Sequence, residues 1–64
     1  MQVLSLDQAA YRIGVVRRTL ERLLANGTGP AKVQIGKRRV GILEADLEAW
    51  LLKRRLPAPG EEAA

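Results

Sequence analysis

The chain has no cysteine and no histidine. Without thiols there can be no disulfide staple, and with imidazole missing as well the usual ligands of a transition-metal site are gone. Phenylalanine is also absent, leaving one Trp and one Tyr, so a core must be aliphatic, built from Leu, Val and Ile around Trp50, with Tyr11 as a further candidate. That composition favours packed helices over an aromatic-rich sandwich. No segment approaches the roughly 18 consecutive apolar residues that span a bilayer. The start, Met1 to Asp7, has no basic stretch followed by a long apolar run, so the sequence reads as soluble and cytoplasmic.

What the chain does have is positive charge. Its 64 residues carry a net +4, and the stretch beyond Leu56 holds Glu61 and Glu62 but no cation. Up to Leu56, 11 cations face 5 acids, or +6. Such an excess on a body this small points to a polyanionic partner, nucleic acid ahead of an anionic membrane surface. A chain of this length holds one domain at most, near the size where a single core barely sustains a fold.

Ser5-Leu6-Asp7-Gln8 has the form of a capping box and predicts a helix start. Leu6, Ala9, Ala10 and Ile13 then fall on one face of a 3.6-residue period, and Gly14 is placed to end the helix in a left-handed cap. After the turn, Val16, Leu20, Leu23 and Leu24 form a second stripe, closed by Asn26-Gly27, so helix two is expected over Arg17 to Ala25. With Leu20 at the centre of its buried face, Arg18 and Arg22 point outward, Glu21 and Ala25 flank them, and Arg17 lies nearer the edge.

Thr28-Gly29-Pro30 breaks the pattern. Lys32-Val33-Gln34-Ile35 and Arg39-Val40-Gly41-Ile42 predict a short hairpin around Gly36-Lys37-Arg38, with Val33, Ile35, Val40 and Ile42 expected to face the helices. A two-stranded ribbon is not stable alone, so it must lean on the helical core. Leu43, Leu47, Trp50, Leu51 and Arg54 define a third helix, about Glu44 to Arg54, with acids early and cations late as the helix dipole prefers. The expected fold is therefore mainly α with a small β-hairpin, a winged helix-turn-helix in the order α-α-β-β-α. Residues 1–56 would form the domain and 57–64, rich in Pro and Ala, a disordered tail.

Two short helices joined by a tight turn, the second exposing arginines, suit a duplex: a helix fits the major groove, and a second basic element can grip the backbone. Arg18 and Arg22 are candidates for guanine edges. Glu21 could accept from cytosine or hold Arg17 or Arg18 in place, the second role being favoured. Lys37, Arg38 and Arg39 are candidates for phosphate or minor-groove contact, and Thr19 and Gln34 for further phosphate bonds. Lys53, Arg54 and Arg55 suit flanking backbone or simply a helix C-terminus. Tyr11 is placed either to offer its hydroxyl to phosphate or to pack half-buried. Trp50, on the apolar stripe, is assigned to the core rather than to base stacking. Leu52 points away from that stripe, either as an ordinary exposed leucine or as a self-association contact.

The same residues carry a family resemblance. Leu6-Asp7-Gln8-Ala9-Ala10, Ile13-Gly14-Val15 and Arg17-Arg18-Thr19-Leu20-Glu21-Arg22-Leu23 resemble the opening of the excisionase and AlpA-like helix-turn-helix proteins. Gly29-Pro30, Val33 to Val40 and Asp46-Leu47-Glu48-Ala49-Trp50-Leu51 resemble that family's wing and closing helix. The likeness covers roughly residues 4 to 55. It implies a winged-helix domain related to MerR-type DNA-binding heads, acting as an excisionase or a small transcriptional regulator. It also implies that Arg17, Arg18, Thr19 and Arg22 belong to the recognition helix and that Lys37, Arg38 and Arg39 form the wing. Three places depart from the pattern: Val16 stands where Ser or Thr usually caps helix two, Gly41 and Leu43 replace residues more often polar or basic, and Glu44 adds an acid nearby.

Implied partners are double-stranded DNA, with an integrase or RNA polymerase as candidate protein partners. One short helix reads few base pairs, so cooperative self-association on repeated sites is a further expectation. No cofactor is indicated. Glu44, Asp46 and Glu48 form the main acidic group but have no His, Cys or evident pocket to work with, which argues against an enzyme. The alternative to DNA binding is a protein-interaction module, such as a small antitoxin or assembly adaptor.

Overall fold

The computed structural model describes residues 2–60. Its elements run β1 (Val3–Ser5), α1 (Leu6–Ile13), α2 (Arg17–Ala25), β2 (Val33–Gly36), β3 (Arg39–Leu43) and α3 (Glu44–Lys53). The three helices and the hairpin match the expected winged helix-turn-helix. One strand was not anticipated. Val3–Ser5 joins the hairpin to give an antiparallel sheet in the order β1-β3-β2.

The capping box forms as the sequence suggests: the Gln8 N–H donates to Ser5 Oγ at 3.0 Å, and the Ser5 N–H donates to Gln8 Oε1 at 2.9 Å. Gly14 ends α1 at φ 78°, a left-handed conformation that glycine adopts without a Cβ penalty. The chain re-enters a helix three residues later. There Val16 has extended N-cap geometry but no side-chain acceptor. Val16 is also 69% exposed, so it does not extend the buried stripe of α2 as expected. The N-cap position turns its side chain outward, before the helical period begins.

Leu4, Leu6, Ala9, Ala10, Leu20, Ile42 and Leu47 make the core, and Ile13, Val15, Leu24, Val40 and Trp50 pack against it. Trp50 is half-buried, and its indole N–H donates to the Thr28 carbonyl at 3.0 Å, tying α3 to the loop after α2. The Arg54 guanidinium lies 4.8 Å from the ring centroid. Leu51 does not join this core. It is 40% exposed, because α3 packs on β3 through the Leu47 side and, among the described residues, its far flank faces no other element.

The hairpin's facing also differs from expectation. Val33 pairs with Gly41 and Gln34 with Val40, and a bulge lies between Gln34 and Gly36. Directly paired residues share a face. Val33 and Ile35 therefore stand with Gly41 on the outer face, whereas Val40 and Ile42 face the helices. Gly41 is buried beneath side chains of that outer face: a Cβ there would lie 2.8 Å from Ile35 Cδ1, 2.8 Å from the Leu4 carbonyl oxygen and 2.9 Å from Val3 Cγ1. The departure at Gly41 is thus a packing requirement of the added strand. Beyond Leu56, residues 57–60 are exposed with no regular structure apart from a turn. The rest of the expected tail, 61–64, lies outside the described residues.

Candidate nucleic-acid interface

The turn between α1 and α2 is fixed by backbone bonds. The Gly14 N–H reaches the Tyr11 carbonyl and the Val15 N–H the Ala10 carbonyl, at 3.2 and 3.1 Å. These bonds set the direction of α2, whose fully buried Leu20 anchors its inner face. Arg18 and Arg22 are four residues apart and exposed. Among the described residues neither has an ion-pair partner. Two guanidiniums one helical turn apart are therefore available to an incoming anion or base edge.

Arg17 is different. Its Nε donates to Glu21 Oε2 at 3.2 Å and its Nη1 to Asp7 Oδ2 at 3.1 Å. The bond to Glu21 and then the charge of Asp7 raise its pKa above the usual arginine value. Glu21 thus holds Arg17, the positioning role favoured for it. The pairing of Arg17 with Asp7 on α1 was not foreseen, because residues 10 apart carry no periodic signal when a turn intervenes.

At the wing, Lys37 and Arg38 occupy the exposed turn and Arg39 opens β3. The turn is braced from inside the hairpin. The Gln34 side-chain amide donates to the Gly36 carbonyl and, at 3.3 Å, to the Lys37 carbonyl. Gln34 was a candidate for phosphate, but its donors are spent on the turn. The bulge beside it explains the reach, since it breaks the regular ladder at the point where those carbonyls turn inward.

A cleft of about 140 Å³ brings the pieces together, lined by Ser5, Leu6, Asp7, Arg17, Arg38, Arg39 and Val40. Cations more than 20 positions apart in sequence thus border one depression at the N-terminus of α1. Arg18 and Arg22 are exposed on the same helix, on the side of α2 away from buried Leu20. Thr19 is half-buried and Lys37 fully exposed. Tyr11 is 86% exposed. Elsewhere Arg12 pairs with Glu44 at 2.7 Å, linking α1 to α3, so the acid at 44 is already engaged. No His, Cys, Asp and Glu cluster suited to a metal occurs among the described residues, and no helix among them is long and apolar enough to cross a membrane.

Two helices at a tight turn, the second presenting free arginines, with a basic hairpin beside them, define a helix-turn-helix DNA-binding domain. The family model described as a helix-turn-helix domain matches residues 3–55. The chain belongs to that family, a DNA-binding family that includes excisionase-like proteins. No curated protein matches the chain.

Proposed function

We propose that this protein binds duplex DNA in a sequence-specific way, with α2 in the major groove and the hairpin on adjacent backbone. It would act in the cytoplasm without catalysis, as an excisionase-like factor or a small transcriptional regulator on a MerR-type scaffold. Arg18 and Arg22 read base edges, Thr19 supports them from the same helix, and Lys37, Arg38 and Arg39 hold phosphate. Arg17 and Glu21 set the geometry at the start of α2.

The observation that carries this reading is the shared cleft of Arg17, Arg38 and Arg39 at the foot of a helix whose next arginines have no partner among the described residues. A scattered charge would be a solvated surface. Cations converging from a helix and a hairpin concentrate positive potential at one place, which favours a polyanionic partner.

Binding to a selected duplex measured against salt tests the proposal. If about six phosphates are contacted, affinity falls by ~10³ between 50 and 200 mM salt. Arg22→Ala should relax preference at one position, at a cost of ~1 to 3 kcal/mol in discrimination. Arg38→Ala should weaken all duplexes alike and reduce the salt slope by ~1. Equal behaviour of the two variants across sequences would refute the division between reading and gripping. An excision assay with an integrase and a promoter reporter then separate the two biological outputs.

A further inference from the structure

Val16 is an apolar residue on a charged surface. It directly precedes Arg17, which lines the cleft with Arg38 and Arg39, and Arg18, which is exposed with no ion-pair partner among the described residues. Its own side chain is 69% exposed. The residue is nonetheless held in place, because its carbonyl accepts from the Thr19 and Leu20 N–H groups at 3.0 and 3.3 Å and so joins the first turn of α2. That helix starts without a side-chain cap, although Ser or Thr at this position would supply the acceptor. Val16 thus neither fills the core nor serves the helix end. Local rules broken in this way are expected at functional positions.

What a valine can do here follows from what a duplex offers. Phosphates and polar base edges give an isopropyl group nothing to bond. The major groove does present one apolar group, the thymine 5-methyl, and helix-turn-helix units bring the N-terminal residues of their second helix to the base edges. Val16 sits at that end of α2. Resting on the proposed reading, with α2 in the major groove, we infer that Val16 is a specificity-determining contact to a thymine methyl, beside arginines that read polar edges. Branched at Cβ and turning about a single side-chain bond, valine is stiff and loses little freedom on contact. A serine would instead turn its hydroxyl back onto the first amides of the helix and leave the methyl uncovered. The missing cap and the exposed side chain are then two aspects of one arrangement.

Deoxyuridine, which differs from thymidine only by that methyl, gives the test. A duplex selected by the protein from random sequence is prepared with each thymine in turn replaced by deoxyuridine, and Kd is measured for each at one salt concentration. With the parent protein, replacement at one position should weaken binding roughly fourfold, the value of one buried methyl group. Val16→Ser should bind the two forms of that duplex equally, and Val16→Ile should keep the difference. The serine supplies the absent N-cap acceptor, so the fold is retained. Each protein is compared with itself on two duplexes, so a general change in affinity cancels. Deoxyuridine that makes no difference at any position overturns the inference, and so does a difference that persists in Val16→Ser. In both cases the DNA-binding reading stands on its salt dependence and on Arg22→Ala. A protein that binds no duplex at all overturns both.

Discussion

Replacing Gly41 by alanine should destabilise the domain through the strand that the hairpin pattern alone does not reveal. The added Cβ would meet the Leu4 carbonyl oxygen at 2.8 Å as well as Ile35 Cδ1 and Val3 Cγ1 at 2.8 and 2.9 Å. The two side-chain ends can rotate aside. The carbonyl belongs to β1, which pairs residue by residue with β3, so it moves only if the pairing opens. Overpacking of this kind costs ~1 to 3 kcal/mol, while removing a glycine restricts the unfolded chain and returns ~0.4 to 1 kcal/mol. The net loss of about 1 to 2 kcal/mol lowers Tm by roughly 5 to 15 °C in a domain of this size. Thermal unfolding followed by circular dichroism and Trp50 fluorescence measures it. Gly36→Ala is the control, because its nearest neighbour would be Arg39 Cβ at an ordinary 3.9 Å. Adding Ile35→Ala to Gly41→Ala should recover part of the loss but not all, since the carbonyl remains. A Gly41→Ala variant that melts with the parent would show that β1 is not held against β3 as described.

Three further outcomes follow from the same structure. Val16→Ser supplies the missing acceptor at an extended N-cap (φ −76°, ψ 155°) and should stabilise α2 by ~1 kcal/mol, seen as a higher Tm. Asp7→Asn removes a carboxylate from the rim of the basic cleft and releases Arg17 from one partner; non-specific DNA affinity should rise about threefold and the salt slope steepen by up to ~0.9, and unchanged binding would place the cleft away from phosphate. Trp50→Phe loses the indole bond to the Thr28 carbonyl and should cost ~0.5 to 1.5 kcal/mol in denaturant unfolding, without altering sequence preference.

The helices were legible because their signals are local. Ser5 with Gln8, Gly14 at the end of α1 and the Leu20-Leu23-Leu24 stripe each act within one or two turns. The sheet was less so. Val3-Leu4-Ser5 is three residues long and runs straight into a helix cap, too short for alternation to register, and its partner lies nearly 40 positions away. The inward face of β2 departs from the pattern because simple alternation assigns Val33 and Val40 to one side, whereas the bulge after Gln34 shifts the register by one. At the candidate interface, exposure of Arg18 and Arg22 followed from helical geometry alone. The engagement of Arg17 by Asp7, and of Gln34 by its own turn, depends on tertiary approach that no spacing rule encodes.

Ser5 closes a strand and caps the next helix, and Leu43 does the same at the other junction. Neither helix has slack at that end, so tilting α3 must drag β3, and with it the hairpin tip. A load applied at Arg39 would travel along β3 into α3 and, through the core that Ile42 shares with Ala9 and Ala10, into α1. The body thus answers a pull as a bracket would, with fixed angles between its arms rather than a pivot.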